Sequence, residues 1–310
     1  MDDAALLELL RALDEAGYDF VTVTPETHRR VLGRRGPVPA RDLRDVFGWS
    51  VAFEEGLLPG PVEEALRRSG MIAPEGERWR SLVRISRLHG RLFLHSAYPT
   101  DDANSVFLGP DSYRFATFLA AALPSLERVR GLVDIGTGAG VGGIVAAGMR
   151  PEARVVLTDI NPLALRFARA NAAHAGVEVE TVEASGAAAL AEPFDVAVAN
   201  PPFIVDPSGR AYRDGGDLHG ARLSLDWAVE AARRVELGGA VLLYTGSAIV
   251  AGRDGLREAL QKALPALGCT MRYREIDPDI FGEQLDDPAY ADVERIAAVG
   301  AVIRRRPDKA

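Results

Sequence analysis

The sequence predicts an α/β protein, a doubly wound, mostly parallel sheet preceded by a small N-terminal α+β module. Three observations predict it. Beyond about residue 105, short apolar runs alternate with helix-length amphipathic segments. The first of those runs ends in a glycine-rich turn, GTGAGVGG, residues 136–143. The turn-forming stretch TDDANSVFLGPDS, residues 100–112, separates this regular part from a less regular N-terminal third. Strands separated by helix-length segments pair in parallel through right-handed crossovers. Such a sheet presents its ligand crevice beyond the carboxyl ends of its strands.

Residues 2–16, DDAALLELLRALDEA, carry Leu6, Leu9, Leu10 and Leu13 at helical spacing behind an acidic first turn, which predicts an amphipathic helix facing a core. From Gly33 to about Tyr98 the pattern reads as short helices around 41–47 and 61–69, then alternating segments near 78–85 and 91–96, a winged-helix-like order. Arg29, Arg30, Arg34 and Arg35, then Arg78, Arg80, Arg84, Arg87 and Arg91, form positive stretches here. These are either a nucleic-acid face or a solvated face balanced by nearby acids. Residues 1–105 are thus expected to form a substrate-recognition or dimerisation module and residues 106–310 a ligand-binding domain. That domain reads helix 112–123 (capped by Asp111 or Ser112), strand 131–135, helix 141–149, strand 154–158, helix 162–175, strands 178–182 and 194–199, helix 222–235, strand 239–244, helix 253–265, and strands 270–276 and 296–303.

Composition narrows the classes. A chain of 310 residues with 47% hydrophobic content fills a sizeable core. A net charge of −8 argues against a wholesale nucleic-acid coat. Cys269 is the single cysteine, so no internal disulfide forms, and with five histidines a structural zinc site is not expected. No basic-plus-apolar leader and no apolar run of spanning length occurs, so the expected location is cytoplasmic, without membrane contact.

The strand GLVDI runs into the glycine-rich turn, where backbone can approach a ligand closely and a helix N-terminus offers free N–H groups. Gly138-x-Gly140-x-x-Gly143 formally satisfies the dinucleotide fingerprint, so a nicotinamide oxidoreductase is a competitor. Asp134, two residues before the first glycine, counts against it. An acid aimed at the ligand from below the loop repels a pyrophosphate but suits a cationic amino-acid moiety. The next strand, ARVVLTDINP, ends on Asp159, placed as the acid that meets the two hydroxyls of a ribose. The structural alternative makes Asp159 the N-cap of the helix starting at Pro162.

A third strand end, FDVAVANPPFIVD (194–206), stops on Asn200-Pro201-Pro202-Phe203. Two prolines cannot extend a central strand, so the chain leaves the sheet as a stiff corner. Together VDIGTGAG, TDINPLALRFARANAAHAG and FDVAVANPPF resemble the class I S-adenosylmethionine-dependent methyltransferases. The resemblance is to the small-domain branch with an Asn-Pro-Pro-aromatic motif, which contains release-factor glutamine, RNA base and DNA adenine N-methyltransferases, and it covers roughly residues 105–250. It implies a Rossmann-like methyltransferase domain with a mostly parallel seven-stranded sheet and S-adenosylmethionine as cofactor. It also implies that Asp134, Gly136, Thr137 and Gly138 lie along the methionine part, Asp159 binds the ribose and Ile160 lies against the adenine. Asn161, Ser185 and Asn200 complete that site. Ser185 departs from the pattern, since such proteins often carry an acid there, and adenine recognition would then rest on backbone groups.

The resemblance implies catalytic roles for Asn200, Pro201, Pro202 and Phe203. The Asn200 oxygen and the Pro201 carbonyl would accept the two N–H bonds of a planar NH₂ group, and Phe203 would stack on it. Tyr212, Arg213 and Asp214 are expected near the substrate, with Gly215, Gly216 and Gly220 as hinges of a lid. His89, His95, His174 and His219 are expected to be ordinary hydrogen-bonded or surface residues. Three acceptor classes stay open: an RNA base, a protein glutamine and a small molecule. A non-catalytic scaffold is the alternative of another kind.

Overall fold

The computed structural model describes residues 2–187, 192–206 and 213–307. The N-terminal part comprises helices α1 (Asp3–Glu15), α2 (Pro25–Arg35), α3 (Leu43–Phe47) and α4 (Gly60–Ser69). Two hairpins follow, β1 (Ile72–Glu75) with β2 (Arg78–Ser81), and β3 (Val83–Leu88) with β4 (Arg91–Ser96). The sequence reading expected one hairpin and no helix at 25–35. Helix α2 escapes an apolar-periodicity test because it buries only His28. Its signal lies in its start, where Thr24 caps the helix and Pro25 opens it.

Beyond residue 106 the elements are α5 (Pro110–Ala122), β5 (Gly131–Ile135), α6 (Val141–Met149), β6 (Arg154–Asp159), α7 (Pro162–His174), β7 (Glu180–Glu183), β8 (Phe194–Ala199), α8 (Arg222–Arg234), β9 (Val235–Val250), β10 (Arg253–Asp254), α9 (Gly255–Ala263), β11 (Cys269–Asp277) and β12 (Arg295–Arg305). All seven predicted strands are present. The largest difference is β9, sixteen residues long where the sequence suggested 239–244. Its polar second half, Thr245 to Ser247, is buried because β12 pairs with it as far as Ile249. The hydroxyls are satisfied, Thr245 by Ser224 at 2.7 Å and Ser247 by Asp254 at 2.7 Å.

The main sheet has the order β11-β12-β9-β8-β5-β6-β7, with β10 paired to the end of β9. Neighbours from β9 to β7 are parallel, and β12 runs antiparallel to both β9 and β11. Alternate strand residues cover opposite faces. Leu132, Val196, Val198 and Leu242 pack beneath α5, while Val133, Ala197, Ala199 and Leu243 pack beneath α8 and α9. The chain winds outward from β5 in both directions, so the crevice between the ends of β5 and β8 is the switch point at which such sheets bind ligands.

The N-terminal part is not separately cored. Leu6, Leu66 and Phe93 belong to one apolar cluster with Ile144 of α6 and Phe167 of α7. Asn171, fully buried on α7, stitches the two parts together. Its side chain donates to Leu94 O at 3.0 Å and Ala139 O at 2.8 Å, and accepts from Leu94 N at 2.7 Å. Asn171→Ala leaves three backbone groups unpaired and is expected to destabilise the chain by about 3 kcal/mol in chemical denaturation. A change under about 1 kcal/mol would mean that water replaces the amide.

Candidate functional site at the strand ends

The loop after β5 is shaped by backbone conformation and by what lies against it. Gly136 has φ +64°, and a Cβ there would stand 2.4 Å from the Trp227 ring of α8, so no side chain fits. Gly138 has φ +53°, yet a Cβ there would find its nearest neighbour, Phe107 O, at 3.9 Å. Open space therefore lies over the Gly138 backbone. Thr137 Oγ1 donates to Asp134 Oδ2 at 2.5 Å, and Gly143 N donates to the same oxygen at 2.8 Å. Asp134 is 2% exposed, and burial raises its pKa to about 7. It therefore lies under the loop and braces it. Its Oδ2 is thus turned inward to the loop and the α6 N-terminus.

At the end of β6, Asp159 reaches back to the same loop. Its Oδ2 accepts from Gly138 N at 2.9 Å and its Oδ1 from Asn161 N at 2.9 Å. Burial raises its pKa, against these backbone N–H groups. Asp159 is not the cap of α7. Asn161 is, its Oδ1 accepting from Leu163 N at 3.0 Å while its Nδ2 donates to Asn104 O at 2.8 Å. The Asn161 side chain is thereby committed to the helix and the linker. Ile160 is 52% exposed beside them, an unusual setting for isoleucine, and Ser185 is exposed beyond β7. Asn161→Ala is expected to cost about 1 kcal/mol, read as a lowered Tm with the fold retained.

At the end of β8, Asn200 follows the last strand residue and Pro201 is buried behind it. Asn200 Oδ1 is buried and has no hydrogen-bond partner among the described residues. A buried acceptor left unmade costs free energy, and no described residue supplies its donor. Phe203 is 9% exposed, edge-on to Phe281 at 5.5 Å and pressed against Gly246, where a Cβ would stand 2.2 Å from its ring. The stacking role expected of Phe203 is corrected on that ground, since the ring is consumed by packing. Two of the three glycines expected to hinge a lid are tightly packed in this structure. A Cβ on Gly215 would lie 1.8 Å from Gly220 O, and one on Gly220 would lie 2.3 Å from Phe203 O. These residues are glycines because backbone packs on backbone, with Gly215 N donating to Ile204 O at 2.8 Å. Arg213 donates to Gln284 at 2.9 Å, Asp214 accepts from Gly216 N at 3.1 Å, and Tyr212 falls outside the described residues.

The site is thus a half-open glycine bed, a carboxylate at the next strand end, and an unpartnered amide oxygen at the switch point. Residues 107–211 match the family described as methyltransferase small domain. The release factor glutamine methyltransferase of Deinococcus radiodurans is 30% identical over 234 residues, covering 71% of this chain and 81% of that protein. The chain belongs to the small-domain S-adenosylmethionine-dependent methyltransferases. The ribosomal RNA small subunit methyltransferase C of Hahella chejuensis is 41% identical over 85 residues, 27% of this chain and 25% of that protein. Among solved structures, the T. thermophilus 16S rRNA N2 G1207 methyltransferase has 16% identity and a TM-score of 0.46, covering 79% of this chain and 61% of that one.

The residues fit the methyltransferase cofactor. Open backbone at Gly138 leaves room along the loop, Asp159 retains lone pairs for hydroxyl donors, and exposed Ile160 offers an apolar platform. Other contributors were not singled out from the sequence. Trp227 forces Gly136, and Tyr290 OH accepts from Val205 N at 2.8 Å to steady the chain after the corner. Both come from elements distant in sequence, so no local pattern announces them.

Three of the five histidines have polar partners. His95 meets Ser86 Oγ at 2.9 Å, His219 meets Asp292 at 2.9 Å, and His174 lies 3.8 Å from Asp14. Several arginines of the N-terminal stretches are ion-paired. Arg30 pairs with Glu26, Arg35 with Asp45, Arg80 with Glu75 and Arg87 with Asp14 and Asp19, while Arg84 is buried with its Nε on Gly48 O. Among the described residues, no helix is long and apolar enough to cross a membrane, and no group of three His, Cys, Asp or Glu is placed to hold a metal ion.

Proposed function

We propose that this methyltransferase acts on nitrogen, and that its acceptor is a glutamine side-chain amide of a protein partner. The observation that carries the nitrogen reading is the orphaned, buried Asn200 Oδ1 at a proline-stiffened strand end. S-adenosylmethionine, when bound, supplies a methyl group already activated on sulfur. The chain's own task is therefore to hold the nucleophile. In an amide NH₂ the nitrogen lone pair is delocalised into the π system and points nowhere useful. When Asn200 Oδ1 accepts one N–H and the Pro201 carbonyl the other, the group is fixed in orientation and its lone pair can turn out of the plane. Pro201 and Pro202 make that carbonyl rigid. The nitrogen proton becomes acidic on methylation and leaves to water, so no histidine base is needed.

The protein reading is supported by the Deinococcus relative, aligned over most of its length, and by the ion-paired arginines of the N-terminal part. Residues 1–105 would then read the partner and residues 106–310 transfer the methyl group. Limited proteolysis is expected to cut first at exposed residues 101–104, with the two fragments co-eluting on size exclusion because they share a core. The deciding experiment offers tritiated-methyl S-adenosylmethionine with translation release factors, ribosomal RNA and a metabolite extract in parallel. Label in the release factor, on a glutamine one CH₂ heavier by mass spectrometry, is the expected result. Label confined to RNA or to metabolites would overturn the glutamine reading.

A further inference from the structure

We propose that Asp111 is a positioning residue for methyl transfer: its carboxylate holds the Tyr244 hydroxyl and so sets the strand end that flanks Asn200. In the parallel register of β8 and β9 the last pair is Ala199 opposite Leu243, and each is followed directly in the chain by Asn200 and Tyr244 respectively. Tyr244 is fully buried on the α5 side of the sheet, and its hydroxyl donates to Asp111 Oδ1 at 2.8 Å. Two residues further along β9, Gly246 lies against Phe203 of the corner. The segment 244–246 therefore forms one wall of the acceptor corner.

The other end of the hydrogen bond reaches the cofactor side. Asp111 stands in the first turn of α5, 2% exposed, just after Gly109 and Phe107, whose carbonyl is the nearest neighbour of the space over Gly138. One turn on, the Phe115 ring lies 6.0 Å from the Tyr244 ring and packs beside Gly142 and Asp134. A single buried hydrogen bond thus joins the helix beside the glycine loop to the strand beside Asn200. None of the motif residues makes that connection.

The bond depends on charge. A hydroxyl donates more strongly to a carboxylate than to a neutral carboxyl. The groups facing Asp111 are Tyr244 from β9, Arg114 from its own helix at 3.5 Å, and Asp277 and Glu283 from β11 and the turn after it. Arg114 also pairs with Asp277 at 2.9 Å, so its charge is shared. Burial outweighs Tyr244 and Arg114 and raises the Asp111 pKa to about 6. Asp134, across Phe115, is raised to about 7, so an acid limb must be assigned by substitution rather than by its midpoint. Because the folded pKa is raised, the stability associated with neutral Asp111 is complete below the unfolded value of 3.8 and is lost as pH rises through about 6.

This inference rests on Asn200 holding the acceptor, and the test separates the two. Methyl transfer into the pool that takes label is measured from about pH 5 to about pH 8 for wild type, Asp111→Asn, Tyr244→Phe and Asn200→Ala. Cofactor Kd and Tm are measured at each pH. In wild type kcat should fall as pH drops through about 6 and level off at roughly the rate of Asp111→Asn. Asp111→Asn and Tyr244→Phe should both be slower, by about fivefold or more, with that limb gone and cofactor Kd within about twofold of wild type. The Tm of Asp111→Asn should also decline less than that of wild type between about pH 5 and about pH 7. A flat wild-type profile, or the same limb in Asp111→Asn, would overturn the proposal. Should Asp111→Asn not fold, Tyr244→Phe, which removes one hydroxyl, decides by the same criterion. Asn200→Ala is expected to be about 10²–10³-fold slower at every pH. Full activity there refutes the acceptor reading without touching the Asp111 limb.

Discussion

Asn200→Ala is expected to bind S-adenosylmethionine as the wild type does and to transfer methyl groups about 10²–10³-fold more slowly, the usual scale for one lost positioning group in a site. The selectivity follows from geometry. Among the described residues the Asn200 oxygen has no partner, so its removal breaks no described hydrogen bond that holds the fold or the glycine loop. Pro201 and Pro202 keep the corner in place, so the Pro201 carbonyl still accepts one N–H while the second goes unheld. Asn200→Asp is the sharper probe, because a carboxylate accepts the same hydrogen bond and places a charge beside the sulfonium. Partial activity in Asp with near-total loss in Ala is the signature of an accepted amino group. Equal rates in wild type and Ala, measured by single-turnover transfer, would leave the corner as a rigid turn and nothing more.

Asp159→Ala is expected to weaken cofactor binding about 10–100-fold in isothermal titration, from the loss of hydrogen bonds to a charged acceptor worth about 1.5–3 kcal/mol. Two losses add. The carboxylate no longer meets hydroxyl donors, and Gly138 N loses the acceptor that holds the loop against β6. Asp159→Asn should lose less, because its amide oxygen can still accept from one backbone N–H. Circular dichroism should show both variants folded, since Asn161 caps α7. An unfolded Asp159→Ala would mean that the carboxylate serves the scaffold first, and unchanged cofactor affinity would remove it from the site. NAD should show no binding to any of these proteins.

Much of this site was legible before the structure. Strand ends were marked by abrupt changes of residue type: apolar run to glycines at 136, apolar run to acid at 159, apolar run to Asn-Pro-Pro at 200. What side chains do at those ends was less legible. Asp134 and Phe203 were read as facing a ligand, yet one Asp134 oxygen braces the loop and the Phe203 ring packs against Phe281 and Gly246. A motif states which residue types meet at a point. It does not state whether neighbours from other elements have already taken their hydrogen-bonding capacity or their surface.

The sequence by itself determined the class of the protein. Period-2 and period-3.6 apolar patterns are local, so strands and helices could be read directly, and short motifs at three strand ends resembled one cofactor class. The tertiary structure decided everything that depends on residues far apart in the chain. It buried the polar half of β9 by pairing it with β12, and it merged the N-terminal part into the core of α6 and α7 through Asn171. It put Trp227 against Gly136 and joined Asp111 to Tyr244 across 133 residues of sequence. It also left Asn200 Oδ1 without a partner among the described residues, which no reading of residues 194–206 could establish, because an absence of donors is a property of the whole surrounding shell.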